Sequence, residues 1–231
     1  MGSPLPTPTN SYDLDLPDIY RKTCSGHLLP ELPRILIFAT AQNLRLMAES
    51  SHWYADGTFK TTPLIFYQLW TLHVLYNKTV IPTIFALLPN KTKITYIRVL
   101  DEIKRLQNNV NPISVMIDFE QDEINAFTHS FPSITVRGCF FHMTQSIWRH
   151  IQSDSELLSH YLDRDAGSDW SIKIRQMVSL AFVPVEDVFD AFYGLLHTQF
   201  YQDNESVLDK LITYYEATWI GKILRNGVIM W

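Results

Sequence analysis

Cysteine is nearly absent from these 231 residues, and its two copies, Cys24 and Cys139, are too few for a disulfide framework or a zinc ribbon. The plain inference is a reducing compartment. No apolar run approaches the ~20 residues that a membrane span needs, and no charged-then-apolar leader opens the chain. A soluble, intracellular protein is expected. Basic residues are also in deficit, with 19 Lys and Arg against 24 Asp and Glu, a net charge of −5 and no basic run. A free-standing DNA-binding module usually carries a basic stripe, because neutralising phosphates supplies most of its affinity. Dealings with DNA would therefore need a metal to bring positive charge, or a grip located elsewhere.

What is present is apolar and aromatic. Hydrophobic residues make up 46% and aromatics 13%, enough to bury a sizeable core. The opening MGSPLPTPTNSY is the exception, uncharged, aperiodic and rich in Pro, Ser and Thr, and it reads as a loose tail. Three parts are expected: a tail and lead-in over 1–32, an α/β core over 33–152, and a helical extension over 153–231.

Within the core, RILIFAT (34–40) reads as a short buried strand and NLRLMAES (43–50) as a brief helix. WYADGTF (53–59), FYQLWTLHVLY (66–76) and TVIPTIFALL (79–88) follow as three strands, with Asn77–Lys78 as a hairpin turn. Pro82 places the third strand at an edge or on a bulge. A helix over 92–107 carries Ile94, Ile97, Leu100, Ile103 and Leu106 at helical spacing. Then come a strand (113–120), a helix (122–131), a strand (134–142) and a helix (143–152). A meander followed by alternating helices and strands suits a mixed sheet covered on both faces, the order of the ribonuclease H-like fold. Beyond 153, apolar faces over 168–182, 185–200 and 206–220 predict helices, with Pro184 between the first two.

Two acids stand where strands would bring them together. Asp56 lies in the first strand of the meander, before Gly57, whose missing side chain leaves room at the backbone. Asp118 ends the apolar run ISVMI. An ionised carboxylate beside buried strands is costly unless paired or bound to metal. Hard oxygen ligands suit Mg²⁺ or Mn²⁺, and two such ions about 4 Å apart can activate an attacking water or 3′-hydroxyl. The bland alternative is that Asp56 is a turn residue and Asp118 a helix cap.

The surroundings of these acids decide more than the acids alone. SHWYADGTFKTTPLIFYQLWTLH (51–73), PTIFALLPNKTKITYIRVLDEIK (82–104), VMIDFEQDEINAF (115–127) and GCFFHMTQSIWR (138–149) occur in one order and spacing. Together they resemble the Mutator-like element (MULE) transposase domain over about residues 33–150. The resemblance implies a DDE-type core that cleaves and transfers DNA strands with Mg²⁺ or Mn²⁺, in the nucleus, and admits a homo-oligomer. It carries Asp56 and Asp118 over as the first two catalytic acids. The family's third acid, a Glu after a helical insertion, has no matching block here, and the expectation is that it falls beyond Trp231. Glu216, within TYYEATWIG, is the weak substitute, with a solvated helix position as its bland reading; Glu120 is an imperfect one.

Cys139-x-x-His142 matches a family element, but a zinc site needs four ligands. A packed thiol and a hydrogen-bonded imidazole explain it more simply. Lys60 and Arg149 are candidates for the DNA backbone, or ordinary exposed cations. Gln145 shares a helix face with His142 and Arg149. His73, Trp53, Phe59, Phe66 and Trp70 are most economically packing residues. Two rivals stand beside the transposase reading: a non-catalytic interaction module on a decayed transposase fold, and an autonomous ribonuclease H-like nuclease, for which the acidic cluster is too sparse.

Overall fold

The computed structural model describes residues 8–11, 13–15, 33–163, 169–223 and 229–230. Cys24 and most of the expected tail lie outside them. The chain divides into two compact units, 1–139 and 140–231. Part of the N-terminal segment is not loose. Asn10 Oδ1 accepts from the Asp13 N–H, and the carbonyls of Ser11 and Leu14 accept from Arg34 Nη1 at 3.1 and 2.8 Å.

The first unit is a mixed α/β layer structure. Its strands are β1 (Leu36–Phe38), β2 (His52–Thr58), β3 (Gln68–Tyr76), β4 (Thr79–Leu88), β5 (Ser114–Ile117) and β6 (Thr135–Gly138). Helix α1 (Ala41–Glu49) follows β1, α2 (Lys93–Leu106) follows β4, and α3 (Gln121–Ser130) links β5 to β6. The sheet order is β1-β4-β3-β2-β5-β6. The meander β2-β3-β4 is antiparallel, while β2–β5 and β5–β6 are parallel. Counted from β2, this is the 3-2-1-4-5 order of a ribonuclease H-like sheet, with β1 added at the far edge.

Local chemistry explains the turns. Asn77 and Lys78 both take positive φ (47° and 65°), as a two-residue hairpin of the twist-matched kind requires, and Tyr76 pairs directly with Thr79. Pro82 sits where the ladder is already irregular: the register slips between Leu72 and His73, which pair with Ile84 and Pro82. The missing N–H is thereby tolerated next to a bulge. Alternation on β3 sends Gln68, Trp70, Leu72 and Val74 into the core, with Trp53, Leu100, Ile103 and Phe127 packed in the same cluster. Phe66 is buried too, and half-buried His73 lies opposite Tyr54.

Three expectations need correction here. Helix α2 buries Tyr96, Val99, Leu100 and Ile103, while Ile94 is 65% exposed. The helix is rotated towards Tyr96 because that hydroxyl has partners inside, accepting from Gln68 Nε2 at 2.8 Å and donating to Glu120 at 3.3 Å. Strand β6 stops at Gly138, since β5, its partner among the described residues, runs out at Ile117, and a helix starts at Phe140. Phe59 is exposed rather than core.

Gly57 has a steric role. A Cβ there would lie 2.6 Å from Oε1 of the buried Gln68. Gly57→Ala is expected to push that amide off Tyr96 and cost about 1–3 kcal/mol, the usual penalty for a buried polar group left unpaired. Urea unfolding checks it, and an unchanged midpoint would mean that Gln68 finds another partner.

The second unit is helical. It comprises α4 (Phe140–Ser153), α5 (Ser155–Leu162), α6 (Trp170–Val178), a 3₁₀ turn (Ser179–Phe182), α7 (Val188–Leu196), α8 (Gln199–Asp203) and α9 (Glu205–Tyr215), the last running into a π turn (Glu216–Ile220). Asp154 caps α5, accepting from the N–H groups of Glu156 and Leu157, and pairs with Lys210 at 2.8 Å. The helix expected over 185–200 breaks at His197, because Thr198 turns extended and opens α8. Ile147, Ile151, Met177, Phe192, Leu208 and Tyr215 form the core. No helix among the described residues is long and apolar enough to cross a membrane.

Candidate functional site

The parallel pairing of β2 with β5 organises the site. Trp53 pairs with Val115 and Tyr54 with Met116; Asp56 stands two residues beyond Tyr54, and Asp118 two residues beyond Met116. Alternation along β2 puts Asp56 on the side opposite the buried Trp53 and Ala55, and Asp118 leaves β5 directly after the buried Ile117. Both are half-buried. Asp118 is the first residue past β5, and its Oδ1 accepts from the Glu120 N–H at 3.0 Å. That bond makes a local turn just ahead of α3, whose N-cap is Glu120 and carries no side-chain capping bond.

Behind them lies an acid that sequence reasoning treated as an ordinary helix residue. Glu123, on the first turn of α3, is only 3% exposed, and its Oε1 accepts from Trp70 Nε1 at 2.7 Å. Burial first, and then the negative charges of Asp118, Glu120 and Asp56, push its carboxyl up to about 8, against the pull of the Trp70 bond. The signal was available: buried positions 123, 126, 127 and 130 mark the inward face of α3, and one of them is Glu. Glu120 is raised as well, chiefly by burial, with Lys91 at 3.4 Å opposing. Gln68, Tyr96 and Glu120 thus form a hydrogen-bonded relay beside Asp118, and burial holds the Tyr96 hydroxyl well above its ordinary range.

The remaining candidates are dispersed. Lys60 is exposed just past β2. Cys139 is half-buried at the end of the first unit, its N–H donating to the Ile117 carbonyl at 2.8 Å, while His142 is on the first turn of α4 in the second unit. Arg149 is exposed on α4, and Gln145 is half-buried there. Glu216 belongs to the π turn of the second unit and accepts from the Tyr193 hydroxyl at 2.9 Å. Among the described residues, no three His, Cys, Asp or Glu side chains form a ready-made metal cage.

Two half-buried carboxylates, both close enough to Glu123 to help push its carboxyl up, have the charge and hardness to suit a divalent ion. Mg²⁺ characteristically takes one or two protein carboxylates and fills its remaining positions with water and substrate phosphate. A closed protein cage is not needed for that.

Residues 52–146 match the model of the MULE transposase domain. This span runs from the first residue of β2 into α4, enclosing both acids. No curated protein matches the chain. A transposase domain implies, in general terms, DNA as partner and a divalent metal. Residues 52–146 of this chain are thus a MULE transposase domain.

Proposed function

We propose that this domain is the metal-dependent DNA strand-cutting core of a DDE-type transposase, with Asp56 and Asp118 as the first two acids. The observation that supports it most is the parallel β2–β5 pairing, in which Asp56 and Asp118, distant in sequence, each stand two residues beyond the paired Tyr54 and Met116. In this reading Asp56 and Asp118 hold Mg²⁺ or Mn²⁺ against a phosphodiester. When bound, the ion lowers the pKa of an attacking water and neutralises charge on the phosphate. The chain's own part is orientation. Asp118 is fixed by the Glu120 N–H, and Asp56 by its place inside an antiparallel pair with Thr71. Glu123, carrying its proton near neutral pH, adds little negative charge beneath an incoming phosphate.

The same reading treats the acid set as incomplete, because Glu216 is engaged by Tyr193 within the helical unit and is not assigned as the third acid. Metal binding without efficient strand transfer is then the expected behaviour of this chain, acting in the nucleus on element ends. Calorimetric titration with Mg²⁺ and with Mn²⁺ tests it. Wild type should bind, and Asp56→Asn and Asp118→Asn should each weaken binding by at least about tenfold, since disturbing even a metal's supporting shell costs about 10–100-fold. Equal heats for all three proteins would remove the metal site and favour a non-catalytic interaction module instead.

A further inference from the structure

The connector between β2 and β3 presents unusual chemistry beside the acids. Phe59 and Tyr67 are 51% and 49% exposed and meet edge to face at 5.6 Å, and Leu64 between them is fully exposed. Loops that expose apolar side chains are usually loose, but this one is braced. Thr62 Oγ1 donates to the Thr58 carbonyl at 2.7 Å and accepts from the Leu69 N–H at 2.8 Å. Phe66 closes a turn onto Pro63 and is itself buried, and the Tyr67 N–H donates to the Leu88 carbonyl at 2.8 Å. The rings are therefore held out in water by a fixed backbone.

Tyr67 also walls a cavity of about 470 Å³, which Asn90, Lys91, Glu120 and Asp122 share. That volume lies in the range of about 300–1,000 Å³ typical of small-ligand sites. Its polar rim is mixed in sign. Lys91 reaches Glu120 only at 3.4 Å, longer than the ~2.7–2.9 Å of a tight charge-assisted bond, so its ammonium is free to exchange partners. Glu120, one of its lining residues, donates its backbone N–H to Asp118 Oδ1 at 3.0 Å.

Resting on the reading that this unit acts on DNA, we propose that the cavity takes the unpaired strand of a DNA end, one base stacked on Tyr67 and Phe59 and its phosphate at Lys91. Three observations favour a single strand over a duplex. Open aromatic faces serve bases that are not already stacked in a helix. Acceptors on Glu120 and Asp122 suit the exposed amino groups of an unpaired base, as carboxylates do for cytosine, whereas they would repel a double row of phosphates. Residues 1–139 carry 12 Lys and Arg against 12 Asp and Glu, which leaves this unit without the excess positive charge that a duplex grip relies on.

Fluorescence anisotropy of the full chain tests this, with one labelled oligonucleotide offered single-stranded and as a blunt duplex. Chelator is present throughout, so the outcome does not depend on the Asp56–Asp118 metal site. The single strand should bind about tenfold or more tightly than the duplex, and Tyr67→Ala should lose about tenfold on the single strand, the scale of one base–aromatic stack. Tyr67→Phe should retain the affinity. Lys91→Ala should reduce the slope of log affinity against log salt by about 0.7, one phosphate contact on a single strand. Equal binding of the two forms, or Tyr67→Ala and Phe59→Ala both matching wild type, overturns this inference and leaves the metal site standing. Binding of neither form overturns it together with the DNA reading.

Discussion

At pH 8 the Glu123→Gln protein is expected to be more stable than wild type by about 3–5 kcal/mol, and at pH 4.5 the two should be nearly equal. The cause is the depth of Glu123, which is buried almost completely beneath Asp56 and Asp118 with one hydrogen-bond donor, Trp70. In the folded protein its carboxyl holds a proton up to about pH 8, whereas the unfolded chain releases it near 4.5. Between those values the folded state binds more protons, so wild-type stability falls as pH rises across the window and levels off above it. A glutamine keeps an oxygen for Trp70 and carries no charge, so it escapes this loss. Thermal unfolding at several pH values checks the prediction. Parallel curves for the two proteins from pH 4.5 to 8 would mean that Glu123 titrates as an ordinary surface acid.

Trp70→Phe should cost about 3 kcal/mol at pH 7, more than the loss of ring volume alone. The substitution keeps an aromatic ring among Tyr96 and Phe127, whose centroids both lie 6.4 Å from Trp70. It removes the N–H that satisfies Glu123 at 2.7 Å, and a buried acceptor left without its donor costs about 1–3 kcal/mol, with the smaller ring adding a cavity term. The Trp70 bond also opposes the upward push on Glu123, so the variant should hold its proton to still higher pH. A loss below about 1 kcal/mol in urea unfolding would assign Trp70 to packing alone, a small enough change for a conservative core swap.

The two predictions concern a residue that the linear sequence does not advertise. Asp56 and Asp118 are visible because each ends or interrupts an apolar strand, and charge in such a place demands a reason. Glu123 sits in a polar stretch, QDEINAF, where an acid is unremarkable until the helix is rotated against the sheet. The aromatic connector was misread for the same cause. Phe59 and Phe66 are alike as residues, but Phe66 is turned inward by its bond to Pro63 while Phe59 is left outside beside Tyr67.

The succession of strands and helices, the Asn77–Lys78 hairpin and an edge or bulge at Pro82 were contained in local pattern, because alternation, turn chemistry and apolar runs act over a few neighbouring residues. Which face of α2 points inward, where β6 gives way to α4, and which acid becomes buried were settled only by packing. Those outcomes depend on partners tens of residues away: Gln68 for Tyr96, the end of β5 for β6, and Trp70 for Glu123. A hydrogen bond or a ladder that joins distant segments leaves no periodic trace in either one.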